Sequence, residues 1–275
     1  MRMPHGAVGL IGAGALSDAL AGGLLAAGLA ADRLWVCNRS DDGRLERFRA
    51  AGLRTTRAKS EVAGACETLL LLVKPRDAGA ALGELRGLVR PAHRILSCMA
   101  GISTAYIEAA LGNEPRVLRA MPNIGSAVRA SATALCGGRH STPGDLEAAV
   151  GLLQAVGEVV CIDEARMDAA TAVAGSGPAY VYALVEAMAK AAQGLGLSDA
   201  DARRLILHTV AGAARLALET GRAPAALRAA VSSPGGTTLA GLAVLEQAGF
   251  EATVVAALHR AAERSHELGR EWTGG

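Results

Sequence analysis

Aromatic side chains are nearly missing from this chain: two Trp, three Tyr and two Phe make up 3% of its 275 residues. Without rings to stack on bases, no basic stripe interleaved with aromatics can be assembled, so a nucleic-acid partner is not expected. Excess charge of either sign is also missing, with a formal net charge of only +2. Long apolar runs are absent too. Runs such as Thr68 to Val73 fall well short of the length a bilayer requires. The N-terminus lacks a signal peptide's basic segment, apolar segment and cleavage site. The expectation is therefore a soluble cytoplasmic protein with no membrane partner. Cys37, Cys66, Cys98, Cys136 and Cys161 are odd in number, scattered and without CxxC spacing, so they read as small packing residues and not as disulfides or metal ligands. His5, His93, His140, His208, His259 and His266 show no metal-ligand spacing either, and no metal is expected. Met99, Met121, Met167 and Met188 sit in apolar contexts and read as core.

Apolar residues are what the chain has in plenty, 51% of the total, enough for a large core and two domains of ordinary size. Against that background the stretch Pro224 to Glu246 stands out. Two amphipathic helical runs flank Ser232, Ser233, Pro234, Gly235, Gly236, Thr237 and Thr238, which crowd four hydroxyls and two glycines into seven residues. Pro234 breaks the first helix, and the glycines permit close backbone approach. A second helix starting near Thr237 would aim unpaired N–H groups and its positive dipole end at whatever sits beside the serines. The chemistry suits a small carboxylate or phosphate, although taken alone the stretch also reads as a helix–turn–helix corner with a Ser/Thr N-cap.

The N-terminal part alternates apolar strands with helices. Ala7 to Ile11 forms a strand, followed by Gly12, Ala13, Gly14, Ala15, Leu16 and Ser17 and a helix from Asp18 to Ala27. Gly12 permits a tight turn, Gly14 lets a pyrophosphate approach the backbone, and the helix N-terminus holds the anion. Ser17 replaces the third glycine, which weakens the fingerprint. The next strand, Leu34 to Cys37, ends in Asn38, Arg39 and Ser40, where a fold selective for NAD carries an acid. Arg39 can pair with a 2′-phosphate bidentately while Asn38 and Ser40 donate hydrogen bonds. NADPH is therefore the expected cofactor, with NADH a weaker alternative. Arg39 could also be a solvated loop residue.

Further strands are expected at Leu53 to Thr55, Leu69 to Val73, Ile95 to Cys98 and Val117 to Ala120, with Ala132 to Leu135 and Glu158 to Ile162 as closing edge strands around a helix from Ser141 to Val156. Such alternation indicates a mainly parallel, doubly wound, Rossmann-like sheet. The strand ends carry Val73, Lys74 and Pro75, then Ala100, then Asn123, all in the crevice where ligands bind in such folds. Lys74 is informative, because Lys59 and Lys190 are the only other lysines. After Asp163 the alternation stops and the remainder reads as helical. Ala165 to Ala192 is broken at Gly175, Ser176, Gly177 and Pro178, and Ser198 opens a helix from Ala200 to Thr220. The reading is an α/β dinucleotide-binding domain over 1–163 followed by an all-helical dimerisation and substrate-binding domain over 164–275. Its apolar faces exceed what one small helical domain can hide, which implies a homodimer.

With these residues in place the chain resembles the pyrroline-5-carboxylate reductase family from Val8 to about Glu246. The carrying motifs, in order, are IGAGALSDAL, CNRS, LLVKP, RAMPN, AGSGPAY and the hydroxyl-rich stretch around SSPGGTT. The resemblance implies hydride transfer from NADPH to the imine carbon of a cyclic imino acid, giving L-proline, and dimers that assemble further into rings. It implies that Ser232, Ser233, Gly235, Gly236 and Thr237 hold the substrate carboxylate and that Thr238 donates to, or relays a proton to, the ring nitrogen. The sequence departs after Asn123, where the family continues Thr-Pro and this chain has Ile124 and Gly125. The rivals are a reductase of another cyclic imine, a β-hydroxyacid oxidoreductase, which needs a lysine in the helical domain where only Lys190 is on offer, and a non-catalytic NADPH-binding regulatory protein.

Overall fold

The computed structural model describes residues 6–40 and 43–273. His5 lies outside the described residues. The chain forms two compact units, one taking in the chain up to Ser176 together with residues from His259 on, the other Gly177–Leu258.

The first unit is built on an eight-stranded sheet in the order β3-β2-β1-β4-β5-β6-β7-β8. The strands are β1 (Val8–Ile11), β2 (Leu34–Cys37), β3 (Arg54–Thr56), β4 (Thr68–Leu71), β5 (Arg94–Ser97), β6 (Arg116–Met121), β7 (Ser131–Gly137) and β8 (Gly157–Cys161). The first six are mutually parallel, and β1, β2 and β4 are the near-continuous apolar runs of strands covered on both faces. β7 returns antiparallel to β6, and β8 runs parallel to β7. Only β8 is an edge at that end; β7, expected as an edge strand, is enclosed between β6 and β8.

Side chains alternate between the two faces of the sheet. Leu10, Val36, Leu70, Leu96 and Leu118 pack on one face with α1 (Ala15–Ala26), α2 (Glu46–Ala50) and α6 (Pro143–Leu153). Ile11, Cys37, Leu71, Ile95 and Val117 pack on the other with α3 (Lys59–Ala65), α4 (Ala78–Leu85) and α5 (Thr104–Leu111). Each fully buried Leu or Ile contributes about 2 kcal/mol to this two-sided core. Where β5 and β6 begin, Arg94 Nε and Arg116 Nη1 each donate to Asp145 Oδ1 at 3.0 Å. The same carboxylate closes the capping box of α6 with Thr142. Arg119 in mid-β6 reaches Glu164 at 3.3 Å. Glu164 also accepts from the N–H and hydroxyl of Thr104, which fastens the chain after β8 to the start of α5.

Beyond Cys161 the chain is helical: α7 (Met167–Ala170), a π-helical turn at Thr171–Gly175, then α8 (Gly177–Gly194), α9 (Asp199–Thr220), α10 (Pro224–Ala230), α11 (Thr237–Gln247) and α12 (Phe250–Thr273). The break expected at Gly175–Pro178 is real, and it takes the form of a π turn. Ser198 caps α9, accepting from the Asp201 N–H at 3.2 Å. In the second unit α8 and α11 bury no residue, and Tyr182, Leu184, Leu205, Leu218 and Val244 lie exposed. Among the described residues no single helix is long and apolar enough to cross a membrane.

Candidate active site

The glycine turn after β1 is held by three bonds. The Gly12 N–H donates to the Cys37 carbonyl at 2.8 Å, the Ser17 hydroxyl donates to the Gly12 carbonyl at 2.8 Å, and Arg47 donates to the Ala13 carbonyl at 2.9 Å while pairing with Asp18. Gly12 sits at φ +121°, and a Cβ there would stand 2.7 Å from the Leu72 carbonyl oxygen, so the position admits only glycine. Ser17 is fully buried, so its hydroxyl, which looked like a defect in the fingerprint, is spent on the turn itself. Gly14 differs. A Cβ there would meet nothing of the protein within 4 Å, and Gly14 is the N-cap of α1 with no side chain capping the helix. The N–H groups of Ala15 and Leu16 belong to that open, electropositive end.

Beside the turn lies a cleft of about 160 Å³ lined by Gly12, Asn38, Arg39, Ser40, Val73, Arg44, Lys59, Asp77 and Glu84, among others. Asn38 donates to the Ser40 carbonyl at 2.8 Å and shapes the loop. Arg39 is exposed, and among the described residues its guanidinium has no partner. Lys59 is almost buried and pairs with Glu84 at 2.6 Å. Cys37 also borders the cleft. Burial pushes its thiol up against the opposing pull of Lys59, which leaves it unreactive. The structure thus gathers Gly12, Asn38, Arg39, Ser40 and Val73 in one cleft. Gly14, Ala15, Leu16, Lys74, Pro75, Ala100 and Asn123 do not line it, although they stand at the same strand ends. Arg44 and Lys59 were not singled out from the sequence. Arg44 lies four residues after Ser40, and Lys59 could have been noticed from the scarcity of lysine.

Beyond the other strand ends, Lys74 is exposed, and Pro75 opens a short 3₁₀ turn behind it. The side chain of Asn123 is engaged within the fold. Its Oδ1 accepts the Gly125 N–H at 2.9 Å, and its Nδ2 donates to the Ala174 carbonyl at 3.0 Å. Gly125 supplies a donor that proline would lack, and a Cβ on it would lie 2.4 Å from the Ala130 carbonyl oxygen. This turn is therefore built for glycine, which accounts for the departure at position 125. Ile124 is left 66% exposed.

The hydroxyl loop lies in the second unit between α10 and α11. The Gly236 N–H donates to the Ser233 carbonyl at 3.0 Å. With Pro234 second and Gly235 third at φ +70°, this is the residue pattern of a type II turn. The expectation that the Gly236 N–H holds a carboxylate is thereby corrected, since the turn consumes that donor. The Ser232 hydroxyl is likewise spent on the Arg228 carbonyl at 2.7 Å. The hydroxyls of Ser233, Thr237 and Thr238 make no bond among the described residues. α11 starts at Thr237 with Gly236 as N-cap and no side-chain cap, so the N–H groups of its first turn are open to an anion.

Other expectations are amended. Cys37, Cys66 and Cys136 are buried as expected, but Cys98 is only half-buried and Cys161 is exposed on the edge strand. Burial pushes the thiols of Cys66, Cys98 and Cys136 up to about 12. His93 is buried, while His208, His259 and His266 are exposed. Met99 and Met167 are core residues; Met121 and Met188 are only partly covered.

A family model described as pyrroline-5-carboxylate reductase dimerisation matches residues 164–268. A second, described as NADP oxidoreductase, coenzyme F420-dependent, matches residues 7–101. Pyrroline-5-carboxylate reductase 2 of Bacillus subtilis is 36% identical over 97% of this chain and 96% of its own length. The pyrroline-5-carboxylate reductase of Pseudomonas aeruginosa is 39% identical over 96% of this chain and 97% of its own. Among solved structures, a pyrroline-5-carboxylate reductase from Coxiella burnetii is similar with a TM-score of 0.91 at 35% identity, covering 96% of this chain and 99% of that one. Plasmodium falciparum pyrroline carboxylate reductase, solved with NADP bound, gives a TM-score of 0.86 at 28% identity over 98% and 100% of the two chains.

Proposed function

Because the chain belongs to the pyrroline-5-carboxylate reductase family, we infer that it reduces 1-pyrroline-5-carboxylate to L-proline with NADPH, the last step of proline biosynthesis. The full-length match to several such reductases carries this reading. NADPH, when bound, supplies a hydride, and the imine carbon receives it while the ring nitrogen takes a proton. The residues present fit that cofactor. The open end of α1 at Gly14 to Leu16 suits the pyrophosphate, and the exposed Arg39, with Ser40, suits the 2′-phosphate. Val73, Lys74, Pro75, Ala100 and Asn123, at the neighbouring strand ends, would hold its other half.

For the substrate, the N–H groups of Gly235 and Thr237 and the Ser233 hydroxyl hold the carboxylate at the positive end of α11, with Ser232 and Gly236 shaping the turn. Thr238 donates a hydrogen bond to the ring nitrogen, or relays its proton, which raises the electrophilicity of the imine carbon. The protein is a homo-oligomer. We take it to be a homodimer at minimum, intertwined through residues 164–275, with residues 1–163 as the dinucleotide-binding domain and rings of dimers as the higher assembly. We place it in the cytoplasm, without nucleic-acid or membrane partners.

The test is NADPH oxidation with pyrroline-5-carboxylate set beside piperideine substrates and panels of 2-hydroxy and 2-oxo acids. Turnover confined to the acids, or absent throughout despite NADPH binding, would overturn the assignment in favour of a hydroxyacid oxidoreductase or a regulatory protein.

A further inference from the structure

The end of α12 meets the loop that leaves β5 at a contact with no room in it. Gly101 has φ +74°, and a Cβ on it would stand 3.1 Å from Gly269 Cα and 3.3 Å from Trp272 Cε3. In the other direction, a Cβ on Gly269 would stand 2.7 Å from the Gly101 carbonyl oxygen. Glycine inside a helix costs about 1 kcal/mol relative to alanine, so Gly269 is a poor choice for α12 taken by itself, and the close approach of Gly101 accounts for it. Trp272 packs with the cluster that contains Met99 and Ile102, the two buried anchors of the same loop. The helix is also tied to α7, where Ser265 donates to Asp168 at 2.7 Å, while the pairs of Arg264 with Glu267 and Glu271, at 2.8 and 2.7 Å, run along α12 itself.

Between Met99 and Gly101 lies Ala100, three residues past Ser97, the residue that pairs with Leu71 of β4. If the adenosine end of the cofactor lies toward β2, the nicotinamide half must run over the ends of β4 and β5. We propose that Gly269 and Trp272 are positioning residues for hydride transfer, setting the Ala100–Gly101 peptide against the nicotinamide half of the cofactor. This rests on the cofactor reading given above. Neither residue needs to touch the cofactor. A displaced peptide would tilt the nicotinamide, and misplacement on the ångström scale costs about 10²-fold in rate.

The experiment compares Gly269→Val, Gly269→Ala and Trp272→Ala with the parent protein. It measures binding of NADPH and of adenosine 2′,5′-bisphosphate by calorimetry, and the single-turnover rate of hydride transfer. The expected result is graded: binding of the bisphosphate unchanged, NADPH binding weakened about tenfold, and hydride transfer slowed most by Gly269→Val. Trp272→Ala keeps the proposal exposed should Gly269→Val not fold, since it removes packing without inserting an atom. NADPH binding and hydride transfer at parental levels in folded Trp272→Ala and Gly269→Ala would overturn the proposal. So would equal weakening of both ligands, which marks general damage. If the parent itself does not bind the bisphosphate, the cofactor reading fails first and takes this inference with it.

Discussion

Asn123 bridges two backbone segments: its amide nitrogen donates to the Ala174 carbonyl at 3.0 Å while its amide oxygen accepts the Gly125 N–H at 2.9 Å. The turn after β6 is thereby tied to the π-helical turn. Such turns are frequent at functional sites. Asn123→Ala deprives both groups of their partner, so unfolding free energy should fall by about 2 kcal/mol, near 1 kcal/mol for each bond. Asn123→Asp should be no better, since it keeps the acceptor for Gly125 but faces a carboxylate toward a carbonyl. Denaturant titration of the three proteins reads this out, and an unshifted alanine midpoint would mean that the bridge contributes nothing.

Cofactor choice should hinge on Arg39. Replacing it with aspartate exchanges a bidentate phosphate partner for a repelling charge, so Arg39→Asp should weaken NADPH far more than NADH. Steady-state KM values for the two cofactors give the ratio directly. A ratio equal to the parent's would remove Arg39 from the 2′-phosphate site.

Thr238→Ala should lower kcat on the order of 10²-fold with NADPH affinity retained, provided the proton does not come from solvent instead. Gly236→Val should act through geometry. A Cβ at that position would lie 2.5 Å from Ser233 Oγ and 3.0 Å from the Ser233 carbonyl oxygen that closes the turn, so the hydroxyl offered to the carboxylate is pushed aside and the KM for the imino acid should rise. If both variants turn over like the parent, the loop is only a helix corner.

Two buried groups should govern acid stability in separate windows. Burial lowers the pKa of His93, aided by Arg90 and opposed by a hydrogen bond at Ala63. For Asp145 burial works upward, but the Thr142 hydroxyl and N–H with Arg116 and Arg94 outweigh it and hold the carboxyl below its usual range. Each pKa is thus lower in the folded state than in the unfolded one. The stabilisation is complete above the unfolded pKa and is lost as pH falls toward the folded value. His93 should act first, below about pH 6.5, and Asp145 below about pH 4. Unfolding free energy measured across pH should show the first loss disappear in His93→Gln. Asp145→Asn should cost about 3 kcal/mol even at neutral pH, because Arg94 and Arg116 lose their counter-charge.

Much of this architecture was readable in advance because it follows from patterns local to the chain. β2 starts and ends where the run Leu34 to Cys37 predicts, since a short apolar segment between polar residues has few alternatives in a covered sheet. The cap at Ser198 and the start of α11 at Thr237 follow from residue types alone, whereas α1 starts at Ala15, three residues ahead of the expected Asp18. What escaped depends on partners distant in sequence, or on one bond choosing among several acceptors. The anchoring of Ala13 by Arg47 spans 34 positions. The loss of the Gly236 N–H to Ser233 is a choice the chain makes only when the turn closes. The π turn leaves no periodicity to detect, and the exposure of Cys161 follows from β8 being the last strand of the sheet.

The pairing of Lys59 with Glu84 has a practical consequence for chemical footprinting. An ammonium that is nearly buried and hydrogen-bonded at 2.6 Å reacts slowly with acylating reagents. Of the three lysines, that leaves Lys74, exposed past the end of β4, as the readily acylated side chain of the sheet-bearing unit. Lys190 lies on α8, within the stretch that the dimerisation model matches, so its signal reports on assembly. Shielding of Lys74 on addition of NADPH would therefore report occupancy without any engineered label.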